Sequence, residues 1–171
     1  MKKVLTLSIF IGALAIFGTV SSSGNAAAAS KTYKVVSVTD GDTIRVKDGN
    51  KTVPVRMIGI DAPELSSKAT TKAGCFAQQS KTYLSRMLTG KYVTLRADVL
   101  SGNKDKYGRL LRYVYLGVMD VDYLMVFGGY AREYKYYANN YVFRNTYLAA
   151  QASAKRRRIG LWNLNVCKMN K

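Results

Sequence analysis

The sequence predicts a protein of the α+β fold class, built on short β-strands with helices inserted late. Three observations lead to this prediction: β-branched runs separated by turn signals follow residue 33, helical spacing replaces them near residue 72, and two further helical segments follow residue 120. Five short strands with about three helices predict a small five-stranded β-barrel of the OB type. At 171 residues the chain has room for one such domain with its own hydrophobic core.

The first three predicted strands are joined by two tight turns. Residues 33–38 are rich in β-branched side chains, and the Asp-Gly pair within residues 39–42 is a hairpin signal. Residues 43–47 continue as a strand as far as a second turn at residues 48–50. Residues 51–60 alternate apolar and polar side chains, which predicts a third strand.

A helix and two more strands complete the predicted barrel. Apolar residues recur at helical spacing through residues 72–88, and Gly90 supplies a stop. Residues 92–96 and 110–116 have the composition of strands and flank a polar loop at residues 101–109. This loop therefore joins two neighbouring strands of the barrel.

Two further helices are predicted in the last third of the chain. Residues 121–127 form a short helix that ends at two consecutive glycines. Residues 141–158 form the last helix, with the asparagines at 139 and 140 as its cap and Gly160 near its end. No repeat or linker divides the chain, so a single domain over residues 30–171 is predicted.

The composition limits the chemistry that the chain can perform. It carries 27 Lys and Arg against 10 Asp and Glu, a net charge of +17, which predicts a polyanionic partner such as nucleic acid or an anionic surface. The 13 tyrosines favour nucleic acid, because aromatic rings stack on bases. There is no histidine, which excludes Ser-His-Asp and Cys-His catalysis and any histidine zinc ligand. An enzyme of this composition must use carboxylates, arginines, tyrosines or an oxygen-bound metal.

Residues 1–29 are predicted to be a cleavable secretory signal peptide. Lys2 and Lys3 precede an apolar stretch at residues 4–20, and four alanines at residues 26–29 suit signal peptidase. An uncleaved membrane anchor is the alternative, since the apolar stretch approaches the length that spans a bilayer. Cleavage predicts a secreted, extracellular protein without stable membrane association; a periplasmic or wall-associated location is a variant of this prediction.

Three short segments carry candidate functional residues. They are residues 40–43 (DGDT), residues 56–64 (RMIGIDAPE) and residues 105–109 (DKYGR). Each alone is typical of an ordinary turn or strand end. In a very basic chain with few acids, the three segments together indicate a functional site. The carboxylates suit a hard cation bound through oxygen, and the arginines suit a phosphate. The residues concerned are Asp42, Asp61, Glu64, Arg56 and Arg109.

In this order and spacing, the three segments resemble the staphylococcal nuclease family, from about residue 33 to residue 162. The resemblance implies a Ca²⁺-dependent nuclease that cleaves DNA and RNA and leaves 3′-phosphate ends. It implies that Asp42, Asp61 and the backbone carbonyl of Ala62 bind Ca²⁺, with Asp40 as an outer-shell carboxylate. Ala62 stands where the family usually has Thr, but a backbone ligand does not depend on the side chain.

The same resemblance implies how substrate is bound and cleaved. Glu64 would act on the attacking water, and Arg56 and Arg109 would bind the phosphate and stabilise the transition state. Tyr107, Tyr137 and Lys106 would contact the nucleotide. Lys135 falls where the family has a second packing tyrosine, so Tyr134 or Tyr136 is a candidate for that place. Residues 65–74 also differ from the lysine-rich loop of the family.

The two cysteines, Cys75 and Cys167, are predicted to form a disulfide, because an exported chain meets an oxidising environment. Two unpaired thiols are the alternative. The chain is expected to act as a monomer with no protein partner.

Two other functions remain to be distinguished at this point. One is an OB-type module that binds nucleic acid without chemistry; the carboxylate set argues against it. The other is a cationic protein of walls or membranes; it lacks support because no segment of residues 30–171 forms a basic amphipathic helix with a wide apolar face.

Overall fold

The structure is a computed structural model that describes residues 30–66, 73–134 and 141–167. Its strands and helices follow one another as β1 (Thr32–Val38), β2 (Thr43–Asp48), β3 (Lys51–Met57), β4 (Ile60–Asp61), α1 (Ala77–Leu88), β5 (Tyr92–Arg96), β6 (Leu110–Leu116), β7 (Met119–Asp120), α2 (Val121–Phe127), β8 (Arg132–Glu133) and α3 (Arg144–Arg157). A short 3-10 turn at Gly160–Trp162 follows the last helix.

Five of the strands close into a barrel. The hydrogen-bonded order is β3-β2-β1-β5-β6, and parallel pairing of β3 with β6 joins the two ends. In this pairing Val55 lies opposite Leu110 and Met57 opposite Arg112. Closure leaves none of these five strands as an open edge. The predicted α+β class, with a five-stranded OB-type barrel and three helices, is confirmed.

Alternation along the strands explains why the barrel closes around an apolar core. In β2, Ile44 and Val46 are fully buried while Arg45 and Lys47 face solvent. Val35 of β1 and Val55 of β3 are also fully buried inside. A period of two places one set of side chains inside and the other outside, as in any half-buried sheet.

The predicted third strand is interrupted, and the interruption shapes the functional site. Residues 51–60 do not form one strand, because β3 ends at Met57 and a turn at Ile58 and Gly59 separates it from β4. Gly59 has φ +74°, and a Cβ there would lie 2.4 Å from the Tyr141 ring. Both features require glycine. After the turn, β4 leaves the barrel and pairs with β8.

Helix α1 begins later than its periodicity indicates. Residue 72 lies outside the described residues, and the helix begins at Ala77 after Phe76, which has φ 71°. A left-handed residue cannot continue a right-handed helix. From Ala77 onward the helix buries Ser80, Leu84 and Leu88 against the barrel.

Helices α2 and α3 differ in how well the sequence predicted them. Helix α2 has the predicted bounds, and Asp120 caps it by accepting the Tyr123 N–H at 2.9 Å. Helix α3 begins at Arg144 rather than at Tyr141. Tyr141 lies in the core instead, with its hydroxyl 3.0 Å from Glu133 Oε1. The asparagines proposed as a cap lie outside the described residues.

The predicted disulfide is present. Cys75 and Cys167 are joined with their Cα atoms 5.7 Å apart, so the segment after α3 is tied to the segment before α1. Among the described residues, no helix has both the length and the apolar character that crossing a membrane requires.

Candidate active site

A cleft of about 510 Å³ opens where β3, β4 and the loop before β6 meet. Its volume falls in the range of small-ligand sites. It is lined by Arg56, Asp61, Glu64, Gly102, Lys104, Asp105, Lys106, Tyr107, Arg109, Leu111 and Tyr134. The structure thus brings together residues from two of the three sequence segments, and the third segment lies directly behind them.

Arg56 is held rigidly at the base of this cleft. Its Nη1 donates to the carbonyls of Met57 at 2.7 Å and Ile60 at 2.8 Å. Its Nη2 lies 3.1 Å from Asp42 Oδ2 and 3.9 Å from Asp61 Oδ1. Both carbonyls become available because the chain turns at Ile58 and Gly59. The interruption of the third strand therefore fixes the guanidinium.

Asp42 joins two of the sequence segments. It is buried, and its Oδ2 accepts the backbone N–H of Ala62 at 2.8 Å. Its Oδ1 accepts the Thr43 hydroxyl at 3.1 Å. Asp40 Oδ1 accepts the Asp42 N–H at 3.0 Å, which holds the turn in place. A Cβ on Gly41 would lie 2.6 Å from the Ala62 Cβ, so glycine allows this close approach.

Arg109 enters the cleft from the loop before β6. Asp105 Oδ2 accepts from Arg109 Nε at 2.6 Å, and Asp105 Oδ1 accepts the N–H groups of Tyr107 at 2.9 Å and Arg109 at 3.0 Å. Arg109 Nη1 also donates to the Thr43 hydroxyl at 3.3 Å. One carboxylate therefore shapes the loop and orients the guanidinium, while Thr43 connects it to Asp42.

Burial raises the pKa values of two acids of the site, Asp42 and Glu64. Burial raises the pKa of Asp42 to about 7; Arg56 opposes this shift, and Asp40 adds to it. The pKa of Glu64 is also raised, first by burial and then by the charge of Asp40, with Arg56 opposing. Such carboxylates favour a further positive charge beside them.

The donor set fits a hard cation only in combination with backbone or water oxygens. Within the described ranges, no three Asp, Glu, Cys or His side chains are grouped closely enough to hold a metal by themselves. Asp42 and Asp61 both have a carboxylate oxygen within 3.9 Å of Arg56 Nη2. Ca²⁺ accepts carboxylate, carbonyl and water oxygens together. The residues present are compatible with such a site.

The aromatic residues lie along the rim. The Tyr107 ring is 72% exposed, with Lys106 Nζ 5.1 Å and Arg109 Cζ 5.6 Å from its centroid. Tyr134 lines the cleft with its ring centroid 5.6 Å from Arg56 Cζ. Tyr137 lies outside the described residues, as do Lys135 and Tyr136. Among the candidates for the second packing place, Tyr134 is therefore the one seen at the cleft.

Sequence reasoning did not assign a role to two residues that organise the site. Asp105 belongs to a loop segment of the sequence, and its spacing of four residues from Arg109 is a usable signal for an ion pair. Thr43 belongs to a turn segment of the sequence. Its bridging position between Asp42 and Arg109 depends on tertiary structure and has no sequence signal.

A basic barrel that places two arginines and several carboxylates around one open cleft has the groups that an enzyme for phosphate diesters needs. Comparisons with known proteins agree. A family model described as staphylococcal nuclease homologue matches residues 54–164. The chain is 34% identical over 172 residues to a thermonuclease of Staphylococcus hyicus, covering 95% of this chain and 99% of the relative.

Two other relatives carry nuclease names. An uncharacterized endonuclease of Haemophilus influenzae is 38% identical over 132 residues, covering 77% of this chain and 66% of the relative. A thermonuclease of Staphylococcus intermedius is 33% identical over 132 residues, covering 77% of this chain and 76% of the relative. The chain belongs to the staphylococcal nuclease family and is a nuclease, a hydrolase of phosphodiester bonds. These relatives decide between a nuclease and a non-catalytic binding module.

Proposed function

We propose that the protein is a secreted, Ca²⁺-dependent nuclease that cleaves DNA and RNA and leaves products with 3′-phosphate ends. The observation that carries this proposal is the single cleft shared by Arg56, Asp61, Glu64 and Arg109. Two arginine guanidinium groups stand beside two carboxylates. This is a suitable arrangement for a reaction in which a phosphate gains negative charge.

Arg56 and Arg109 bind and neutralise the phosphate in this proposal. Each guanidinium has been oriented before substrate arrives, Arg56 by Asp42 and two carbonyls and Arg109 by Asp105. Donors that are already fixed need no reorganisation as charge develops on the phosphate oxygens. We therefore assign both arginines to stabilising the transition state.

Glu64 accepts the proton of the attacking water. Its side chain is exposed at the cleft, and Asp42 and Asp61 are assigned to the cation with the Ala62 carbonyl. A water oxygen attacks phosphorus, its proton passes to the Glu64 carboxylate, and the bond from phosphorus to the 5′ oxygen breaks. The leaving oxygen takes a proton from solvent, and the phosphate stays on the 3′ side. A bound Ca²⁺ would supply charge that polarises the phosphate and orients the water.

Substrate binding rests on charge and on the rim tyrosines. Removal of Lys2 and Lys3 with the signal peptide leaves 25 Lys and Arg against 10 Asp and Glu, a net charge of +15. Such a domain should bind nucleic acid mainly through phosphates, so affinity should fall steeply with salt and vary little with sequence. Lys106 and Tyr107 lie beside Arg109 and are assigned to the nucleotide next to the scissile bond. Tyr137 retains its assignment as a second nucleotide contact by resemblance alone.

The test is digestion of plasmid DNA and of RNA across a Ca²⁺ series, with a chelator and with Mg²⁺ as parallel conditions. The expected result is cleavage of both polymers with Ca²⁺, and little with chelator or with Mg²⁺, whose tight octahedral geometry suits this open site poorly. Mass spectrometry of the products should find 3′-phosphate ends. Equal activity in Mg²⁺ with calcium chelated would overturn the metal assignment.

Secretion is tested separately. The proposed signal peptide, residues 1–29, lies outside the described residues, and the disulfide suits an extracellular protein. Mass spectrometry of culture fluid should find a chain that begins close to Ser30. Recovery of the full-length chain from membranes alone would contradict the proposal.

A further inference from the structure

A second groove, lined by three aromatic rings, lies on the outer side of α1. Tyr83 and Tyr130 stack with centroids 3.9 Å apart and an interplanar angle of 10°. Phe76 lies 5.7 Å from Tyr130 at 30°. The three rings are partly buried, because their inner parts pack against the core while their outer parts face the groove. We call Phe76, Tyr83 and Tyr130 the aromatic row.

The other walls of this groove are polar and cationic. The groove measures about 400 Å³, and its remaining lining residues are Gln78, Gln79, Thr82 and Arg86. Gln78 and Thr82 are hydrogen bonded to each other at 3.2 Å. Arg86 is exposed, and none of the acids in the described part of the chain forms an ion pair with it. The groove therefore offers aromatic ring surface, amide groups and an arginine without an ion pair among the described residues.

Two backbone connections place the groove beside the catalytic cleft. The Gly74 N–H donates to the Glu64 carbonyl at 2.8 Å, and Phe76 follows Gly74 by two residues. On the other side, Asp61 of β4 lies opposite Arg132 of β8, which follows Tyr130 by two residues. Two residues span at most about 7 Å. The aromatic row thus begins two residues along the chain from Gly74 and Arg132, which pair with the backbone of Glu64 and Asp61.

One hydrogen bond joins α1, which carries Tyr83, to Tyr130 on the other side of the groove. The Ser80 hydroxyl donates to the Tyr130 carbonyl at 2.5 Å. A Cβ on Gly41 would lie 2.8 Å from the Ser80 Cβ, so α1 packs closely on the turn that carries Asp42. The groove is therefore positioned by the same helix that supports the site.

We propose that the aromatic row and Arg86 form a base-stacking subsite for single-stranded nucleic acid, which holds nucleotides of the substrate that extend beyond the catalytic cleft. The inference rests on the nucleic-acid substrate of the proposed function. Stacking on aromatic rings accepts every base, and an unpaired arginine suits the phosphate between two stacked nucleotides. The subsite would thus strengthen binding of long single strands without adding sequence preference.

The test compares a long and a short substrate at saturating Ca²⁺. Tyr83→Leu should raise KM for a single-stranded oligonucleotide of about 20 nucleotides by roughly tenfold, since stacking of one base is lost. It should leave kcat and KM for a thymidine dinucleotide, which occupies only the cleft, unchanged. Tyr83→Phe, which keeps the aromatic ring, should have the KM of the wild type for the oligonucleotide. Tyr92→Leu, which removes an exposed tyrosine from β5, is the control.

Arg86→Met provides a second variant with little risk to folding, because Arg86 is exposed. Loss of one phosphate contact should make the salt dependence of oligonucleotide binding shallower by about 0.7 in slope. Lys51→Met, at the far end of the β2–β3 hairpin, is the matched loss of charge. Circular dichroism and the thermal midpoint check the fold of each variant.

Two results would overturn the subsite. One is an unchanged KM for the oligonucleotide in Tyr83→Leu together with an unchanged salt slope in Arg86→Met. The other is an equal loss on both substrates, which would show that Tyr83 acts through the catalytic cleft. A wild-type protein that fails to cleave the dinucleotide in Ca²⁺ would instead count against the proposed function itself.

Discussion

Arg56 Nη2 lies 3.1 Å from Asp42 Oδ2 in a pocket where the two side chains are 12% and 3% exposed. Removing either partner would leave a buried charge without compensation, which is costly. Arg56 also donates to two backbone carbonyls, so the ion pair fixes the turn between β3 and β4. These contacts therefore stabilise the fold and also orient Arg56, which is assigned to phosphate binding.

Glu64→Gln should lower kcat by about 10²–10⁴-fold, the usual contribution of a general base. The amide has the size of the carboxylate but cannot accept the proton of the water. Glu64 is exposed, so the free energy of unfolding and the affinity for a nucleotide inhibitor should change little. Steady-state kinetics at saturating Ca²⁺ measure the effect. Near-normal hydrolysis by the variant would remove Glu64 from the mechanism.

Asp105→Asn tests how Arg109 is oriented while leaving the guanidinium of Arg109 in the protein. An asparagine Oδ1 can still accept the N–H groups of Tyr107 and Arg109, but its amide nitrogen cannot accept from Arg109 Nε. We expect a loss of kcat of roughly ten- to a hundredfold, because a misplaced guanidinium no longer meets the phosphate. Arg109→Ala should lose about 10²–10³-fold. An Asp105→Asn enzyme with wild-type kcat would show that Arg109 needs no such support.

Asp42→Asn should raise the Ca²⁺ concentration for half-maximal activity by at least about tenfold, because the site loses one negative ligand. A titration of activity with Ca²⁺ gives the midpoint. Asp48→Asn, which removes a surface carboxylate paired with Lys31, is the control for the loss of one negative charge. Equal Ca²⁺ midpoints for Asp42→Asn and the wild type would exclude Asp42 as a ligand.

The barrel could be predicted from the sequence because its strands are rich in β-branched residues and β2 alternates buried and exposed side chains. Ile44 and Val46 point inward between charged neighbours, and that period of two is visible without a structure. Strands β4 and β8 have two residues each, too few to show any period. The pairing of β4 with β8 places Asp61 opposite Arg132. The sequence pattern could not predict this pairing, which positions one wall of the site.

The first residues of α1 and α3 differ from the prediction for a related reason. Apolar spacing continues through Phe76 and Tyr141, but each of these residues packs into the protein from a non-helical position. Tertiary contacts override the local pattern there. Among the site residues, the charged side chains were predictable from their segments, whereas the bridging of Asp42 to Arg109 by Thr43 required the folded chain.

Reduction of the Cys75–Cys167 disulfide should lower the free energy of unfolding by about 2–4 kcal/mol, because the bond closes a loop with a sequence separation of 92. Urea unfolding with and without dithiothreitol measures the change. The double variant Cys75→Ser/Cys167→Ser should resemble the reduced protein and should not respond to the reductant. A wild-type protein of equal stability in both conditions would show that the bond contributes nothing measurable.

Asp122 is a fully buried acid that takes no part in the proposed chemistry. Its Oδ2 accepts the Val114 N–H at 2.8 Å, and its Oδ1 has no hydrogen-bond partner among the described residues. Burial raises its pKa well above the ordinary value, the charge of Asp120 adds to the shift, and Arg56 opposes it. The folded protein therefore keeps this proton at a pH where the unfolded chain has released it.

The contribution of Asp122 to the free energy of unfolding should consequently decrease as the pH rises. Where the folded pKa of an acid exceeds its unfolded value of about 3.9, the folded state binds more protons, and the free energy of unfolding falls with increasing pH until the folded pKa is passed. Asp122→Asn removes this titration, so the decrease between about pH 4 and pH 7 should be shallower than in the wild type. Asp120, whose pKa burial also raises, should retain part of the slope; it caps α2 and is left in place. Urea unfolding in chelator at several pH values measures the slope, and Asp48→Asn controls for the loss of one negative charge. Identical slopes for Asp122→Asn and the wild type would show that Asp122 does not hold its proton in the folded protein.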